Sequence, residues 1–323
     1  MNALIVQGKG IPASNGYTVE AWLDVWLSQH VKPNREPKTY DFYRVMARHV
    51  RPIIGRQELR KLTAVDVSRL FHVMDRSGAT TNTIQAVRRT LRAAIGVAIK
   101  YGHIGENPVS NAFVPRITRT ERLHFDAGQI QSLLKALKGS PIENLVSFTL
   151  ATGMRLGEAT GVTWSAVDLE RKTVIIQAQL QRTSGELRLK QLKTEGSRRT
   201  VPLVGYALWA IQSEKARIDT EQFENPLNLV FTNPFGRPFD PKYVNSKLHQ
   251  ALKAAGLPRT GIHSLRHSAA TFMLMAGLNL HQVSRYLGHT QITLTSNLYG
   301  HVLNESMRDA AERLQEMYKP KGE

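Results

Sequence analysis

Between Gly261 and Val302 the chain gathers His263, Arg266, His267, His289, Tyr299 and His301. Fixed cations, imidazoles and one phenol are the side chains suited to handling a phosphate. Cutting a phosphodiester with a hydroxyl nucleophile needs in-line attack, stabilisation of the extra negative charge, and a proton for the departing oxygen. Arginine meets the second need, because its planar fork pairs two phosphate oxygens and stays protonated. Tyrosine can attack and leave reversibly, with a phenol pKa of about 10.

His263-Ser-Leu-Arg266, Leu287-Gly-His289 and Tyr299-Gly-His301 stand in that order. Together they resemble the C-terminal signature of the tyrosine recombinases, the phage-integrase family. Upstream, T-G-M-R-L-G-E-A-T-G-V-T-W resembles the family's first box, and L-K-T-E-G-S-R-R-T-V-P-L its β-hairpin segment. The resemblance spans about residues 17–318. It implies Arg155, Lys193, His263, Arg266, His289 and Tyr299 as catalytic residues, with Glu158 supporting Arg155.

Each of these residues has a plainer alternative. Arg155 and Glu158 are an i,i+3 pair that could be an ordinary helix salt bridge. A lysine in a hairpin turn is usually solvated, and Lys190 is the rival to Lys193. A lone histidine is more often a surface or capped core residue. His263, His267 and His289 lack the spacing of a zinc motif, and Arg266 between the first two is a poor neighbour for a metal cation. Tyr299 alone could be a half-buried anchor, and Tyr286 is a second phenol, out of register before Leu287-Gly-His289. The conjunction of six positions in order favours catalysis.

The resemblance implies a site-specific recombinase that forms a 3′-phosphotyrosine on duplex DNA attachment or core sites. It further implies neither cofactor, ATP nor metal, a homotetramer on two paired sites, and accessory DNA-bending or directionality proteins as candidate partners. A type IB topoisomerase-like activity and a non-catalytic DNA-binding protein on the same fold are the alternatives. Many phage-type relatives carry an extra N-terminal arm-binding domain, so this chain either lacks one or is truncated.

Composition agrees with a polyanion partner. Among 323 residues, 43 Lys and Arg face 26 Asp and Glu, for a net charge of +17. Residues 1–125 carry 19 basic and 9 acidic side chains, and residues 126–323 carry 24 and 17, so both halves are basic. Cysteine is absent, which excludes disulfides and thiolate chemistry. No apolar run is long enough to cross a bilayer and no signal peptide is recognisable; with the resemblance, a cytoplasmic, nucleoid-associated protein of a bacterial host is expected.

The positioning elements follow from periodicity and caps. The expected fold is mainly α with a small antiparallel β-sheet, and the resemblance implies that it comprises a helical core-type DNA-binding domain and an α+β catalytic domain, closing as a C-shaped clamp on DNA. Residues 1–16 read as a flexible tail, 17–113 as the helical domain, 114–125 as a basic linker, and 126–323 as the catalytic domain. Helices are expected at Thr18–His30, Lys38–Ile54, from Thr63 to Arg76, and from a cap at Asn82 to Tyr101. Arg88, Arg89 and Arg92 lie off the apolar stripe of the last of these and, with Arg116 and Arg119 of the linker, are candidate DNA-binding residues. Asp126-Ala-Gly-Gln129 is a capping box with Phe125 and Ile130 as its staple. Strands are expected at Thr173–Gln181, Leu187–Gln191, Arg199–Leu203 and Leu229–Thr232. Helices follow at Gly205–Asp219, Lys242–Ala255, from His263 to Gly277, and at Leu278–Leu287. Leu303, Met307, Ala310, Leu314 and Met317 make a narrow stripe on a C-terminal helix over 303–318, suited to laying into a groove of its own domain or of a neighbouring subunit, and the resemblance favours the neighbour.

Overall fold

Four amphipathic helices, three of them opened by a side-chain cap, build the first third of the chain. The computed structural model describes residues 16–115, 124–183, 185–192 and 197–288, in two compact units that divide between Thr120 and Glu121. In the first unit, α1 (Val19–Val25) is capped by Thr18 and continues as a π-helical turn, Trp26–Val31. α2 (Pro37–Ile54) starts on a proline, which suits a position whose N–H has no helical partner. α3 (Ala64–Arg76) opens on the full Thr63–Asp66 capping box. α4 (Thr81–Lys100) is capped by Thr80, whose hydroxyl accepts from the Thr83 amide; the expected cap at Asn82 is therefore two residues late. The run Ala79-Thr-Thr-Asn-Thr83 offers several capping side chains, and composition alone does not choose among them.

Ile84, Val87, Leu91, Ala94 and Ala98 of α4 are buried, as their spacing predicts. They join Trp22, Leu23, Val50, Leu70 and Phe71 in one core. The Trp22 indole donates to the Ala94 carbonyl at 2.9 Å, tying α1 to α4. Asn107 caps the short α5 (Pro108–Asn111), and Val109 and Ala112 add to the core.

The second unit opens on α6 (Ala127–Leu137), with the Asp126–Gln129 capping box formed and Phe125 buried. α7 (Glu143–Thr152) and the short α8 (Leu156–Thr160) follow. The strand region differs from expectation. Thr173–Gln181 is two strands in two sheets, not one. β1 (Val167–Asp168), β2 (Thr173–Ile176) and β5 (Arg199–Pro202) form a sheet of order β1-β2-β5, while β3 (Ala178–Thr183) pairs with β4 (Glu186–Gln191). All pairings are antiparallel. Val174, Ile176, Ala178 and Leu180 are all buried. The inward alternation therefore runs straight through Gln177, and a period of two cannot reveal a change of partner there. Leu229–Thr232 forms only isolated bridges, Thr163 to Leu229 and Thr232 to Pro238. α9 (Tyr206–Glu221), α10 (Pro241–Ala254), α11 (His263–Met275) and α12 (Leu280–Leu287) complete the unit.

Two glycines of the T-G-M-R-L-G-E-A-T-G run explain how α8 sits. A Cβ on Gly157 would lie 2.9 Å from the Leu180 carbonyl oxygen, and one on Gly161 2.7 Å from the Leu180 amide nitrogen. The helix thus rests directly on the β3 backbone. Gly161→Ala forces that backbone apart, and overpacking of this kind costs about 1–3 kcal/mol. Thermal unfolding should show this variant melting several degrees below wild type, whereas Gly96→Ala, where an added methyl meets nothing within 4 Å, should not be destabilised.

Candidate active site

α7 ends at Gly153, whose left-handed conformation (φ 61°) turns the chain sharply. A side chain there would also strike Leu287, since an added Cβ would lie 2.5 Å from its Cδ2. The turn buries Met154 and delivers Arg155 to the cap position of α8. Glu158, one turn on, is buried, and both its oxygens are used. Oε1 accepts from Arg155 Nη1 at 2.7 Å, and Oε2 from Arg199 Nη2 at 2.8 Å and from the Arg155 amide at 3.2 Å.

The plain i,i+3 salt bridge is therefore one half of a three-body cluster. Burial pushes the Glu158 carboxyl upward, but Arg199 and then Arg155 outweigh it and hold it below the usual carboxylate range. Glu158 stays ionised between two guanidinium groups.

The arginines converge on a single turn. α12 ends at Gly288 in the left-handed conformation, leaving carbonyls without helical partners. The Tyr286 carbonyl accepts from Arg199 Nε at 2.7 Å and the Leu287 carbonyl from Arg266 Nη2 at 2.8 Å. The Gly288 carbonyl faces Arg155 Nη1 and Nη2, each at 3.4 Å. Three successive carbonyls thus meet three arginines from three different elements, with the negative end of the α12 dipole favouring each. Arg266 also donates to the Gly153 carbonyl at 2.8 Å, so it joins the end of α7 to the end of α12.

Accessibility divides the group. The Arg155 side chain is 40% exposed, whereas Arg266 is only 2% exposed. Three residues before Arg266, His263 stands exposed at the first position of α11. Its ring is edge-on to that of the buried His267, with centroids 5.0 Å apart. The expected apolar side of α11 holds for Leu265 and Ala269. Phe272 and Met273 are only partly buried and Ala276 is exposed, because α11 packs tightly through its first half, from Ser264 to Thr271.

Tyr286, the rival phenol, is packed against the core of this unit. Burial raises its pKa above the ordinary value of 10.0, with the nearby Arg199 charge pulling the other way. A phenol held in that state is harder to ionise for attack. Lys190 lies in β4 opposite Gln179 and is partly exposed. Lys193, His289, Tyr299 and His301 lie outside the described residues, as do Arg116, Arg119 and the C-terminal stripe.

In the first unit Arg89 and Arg92 are exposed on α4. Arg88 is half-buried, and its buried Nε has no hydrogen-bond partner among the described residues.

Arg199 was not among the sequence candidates. A signal existed: it stands two residues before Val201 on a strand whose inward face buries Val201. A cation at that register must have a buried acceptor.

The phage integrase family model matches residues 124–306. A tyrosine recombinase XerC-like protein of Caldanaerobacter subterraneus subsp. tengcongensis is 26% identical, over 92% of this chain and 82% of its own length. The Tn1549 transposon integrase, solved in complex with transposon right end DNA, superposes with a TM-score of 0.81 at 23% identity, over 92% of this chain and 99% of that one. A lambda integrase tetramer bound to a Holliday junction gives a TM-score of 0.71 at 19% identity, over 88% and 78%.

Proposed function

This chain belongs to the phage integrase family of tyrosine recombinases and is a site-specific DNA recombinase, and we propose that it works by transesterification through Tyr299. The Tyr299 oxygen attacks a DNA phosphorus in line with the 5′-oxygen, forming a 3′-phosphotyrosine. His263 takes the phenol proton, and Lys193 gives a proton to the departing 5′-oxygen. Arg155, Arg266 and His289 bind the non-bridging oxygens while charge builds on them. A 5′-hydroxyl from a second strand then attacks the phosphotyrosine, remaking a phosphodiester and releasing Tyr299. One ester is exchanged for another, so no external energy source enters.

The observation that carries this reading is the grip of Arg155 and Arg266 on the Leu287-Gly288 turn. Two cations that a phosphate would need are fixed beside the residue that leads directly into His289. We further assign the acting form as a tetramer on two paired sites, by analogy with the lambda integrase assembly, within a mobile element, as for the Tn1549 relative. Among the described residues, no helix is long and apolar enough to cross a membrane.

The deciding experiment incubates wild-type protein, in excess EDTA, with DNA flanking its own gene and with plasmid lacking that DNA. Strand exchange at a defined junction, without general relaxation of the plasmid, is expected. Relaxation of any plasmid without exchange would instead assign a topoisomerase.

Binding should be strongly electrostatic. Log affinity should fall linearly with log salt, by about 0.9 per phosphate neutralised. Replacing Arg88, Arg89 and Arg92 by Ala should flatten that slope in a fluorescence-anisotropy titration. An unchanged slope removes α4 from the DNA interface.

A further inference from the structure

We infer that Arg199 is a positioning residue of the cleavage reaction, acting through Glu158 and Arg155; this rests on the recombinase reading above.

Its side chain is only 6% exposed, and its three nitrogens each already donate to an acceptor within the protein. Its guanidinium joins three parts of the site. Nη2 bonds Glu158 Oε2 at 2.8 Å, Nε bonds the Tyr286 carbonyl at 2.7 Å, and Nη1 bonds the Ser197 carbonyl at 3.2 Å. Glu158 spends its other oxygen on Arg155. Arg199 and Arg155 therefore share one carboxylate, and both also hold the last turn of α12. Gly288 completes the fit: a Cβ there would lie 2.7 Å from Arg199 Nη1 and 3.1 Å from its Cζ. The glycine of Leu287-Gly-His289 is thus required twice, by its left-handed φ of 68° and by the guanidinium packed against it.

Without Arg199, Glu158 keeps one cationic partner and is drawn wholly onto Arg155. The Tyr286 carbonyl loses its donor, and the turn leading to His289 loses one of its three clamps. Arg155 would then face the phosphate from an altered position and with more of its charge offset by Glu158. Lysine cannot replace it, because one ammonium does not reach a carboxylate and two carbonyls in a planar fork.

The test uses a nicked duplex spanning the junction at which wild-type protein forms its covalent adduct, with the ordinary phosphate or a neutral methylphosphonate at the cleaved position. Single-turnover adduct formation is measured at saturating DNA for wild type, Arg199→Ala, Arg199→Lys, Arg155→Ala and the Arg155→Ala/Arg199→Ala double variant. On the ordinary phosphate, Arg199→Ala and Arg199→Lys should each be slowed by roughly 10–100-fold, a fraction of the 10²–10³-fold expected for losing an oxyanion donor outright. In the Arg155→Ala background, losing Arg199 should cost less than threefold. On the methylphosphonate, which carries no anionic charge for Arg155 to meet, the Arg199 penalty should shrink in step with that of Arg155.

A purely structural role gives the opposite pattern, with the same penalty on both substrates and in both backgrounds. That pattern, or wild-type rates in both Arg199 variants, overturns the inference. If Arg199→Ala does not fold, Arg199→Lys carries the comparison alone. Failure of wild-type protein to form an adduct on any DNA would overturn the recombinase reading instead.

Discussion

Replacing Lys193 by Ala should slow cleavage of an ordinary DNA strand by roughly 10²–10⁴-fold, and should leave cleavage nearly at the wild-type rate when sulfur replaces the bridging 5′-oxygen. An alkoxide is a poor leaving group at neutral pH, and a well-placed proton donor contributes about that much. A thiolate leaves without being protonated, so the donor becomes dispensable. Arg155→Ala should stay slow on the sulfur substrate, because the non-bridging oxygens still carry their charge. Lys190, which lies within β4 opposite Gln179, should be replaceable by Ala with near-normal rates on both substrates. Rescue of Lys190→Ala by sulfur, with Lys193→Ala remaining slow, would reassign the general acid.

Arg266→Ala should combine a loss of folding stability with a loss of rate. The buried guanidinium serves the Gly153 and Leu287 carbonyls, both at helix ends. Leaving a buried acceptor without a donor costs about 1–3 kcal/mol. Losing one cation from the phosphate site should also cost roughly 10²–10³-fold in cleavage rate. Arg266→Lys should recover little of either, since one ammonium cannot span carbonyls on two helices and still address a phosphate. Thermal unfolding and single-turnover cleavage, measured below the melting point of each variant, separate the two losses. A variant that melts and cleaves like wild type would remove Arg266 from both roles.

These residues also show what was legible in the chain. Local grammar was readable: the Thr63 and Asp126 capping boxes and the inward stripe of α4 follow from spacings of three and four residues. The relation of Arg155 to Glu158 was visible as a pair, but not its third member. Arg199 lies 41 positions from Glu158 and 87 from Tyr286, and Arg266 reaches the Gly153 carbonyl across 113. Side-chain hydrogen bonds over such separations leave no periodic trace. Only the placement of a cation on the inward face of β5 hinted at one. The division of the strand region at Gln177 was hidden for a different reason: hydrophobic alternation records which face is buried, not which neighbour the strand pairs with.

The central claim is that Tyr299 becomes joined to a 3′-phosphate, and mapping the trapped adduct tests it most directly. A nicked duplex that loses its 5′-hydroxyl fragment after cleavage would hold the covalent species, which is then digested with protease and nuclease and sequenced by mass spectrometry. The account predicts a nucleotide 3′-phosphate on the peptide containing Tyr299, formed equally in EDTA and absent from Tyr299→Phe. A 5′-linked nucleotide, or an adduct on Tyr286 that persists in Tyr299→Phe, would contradict it.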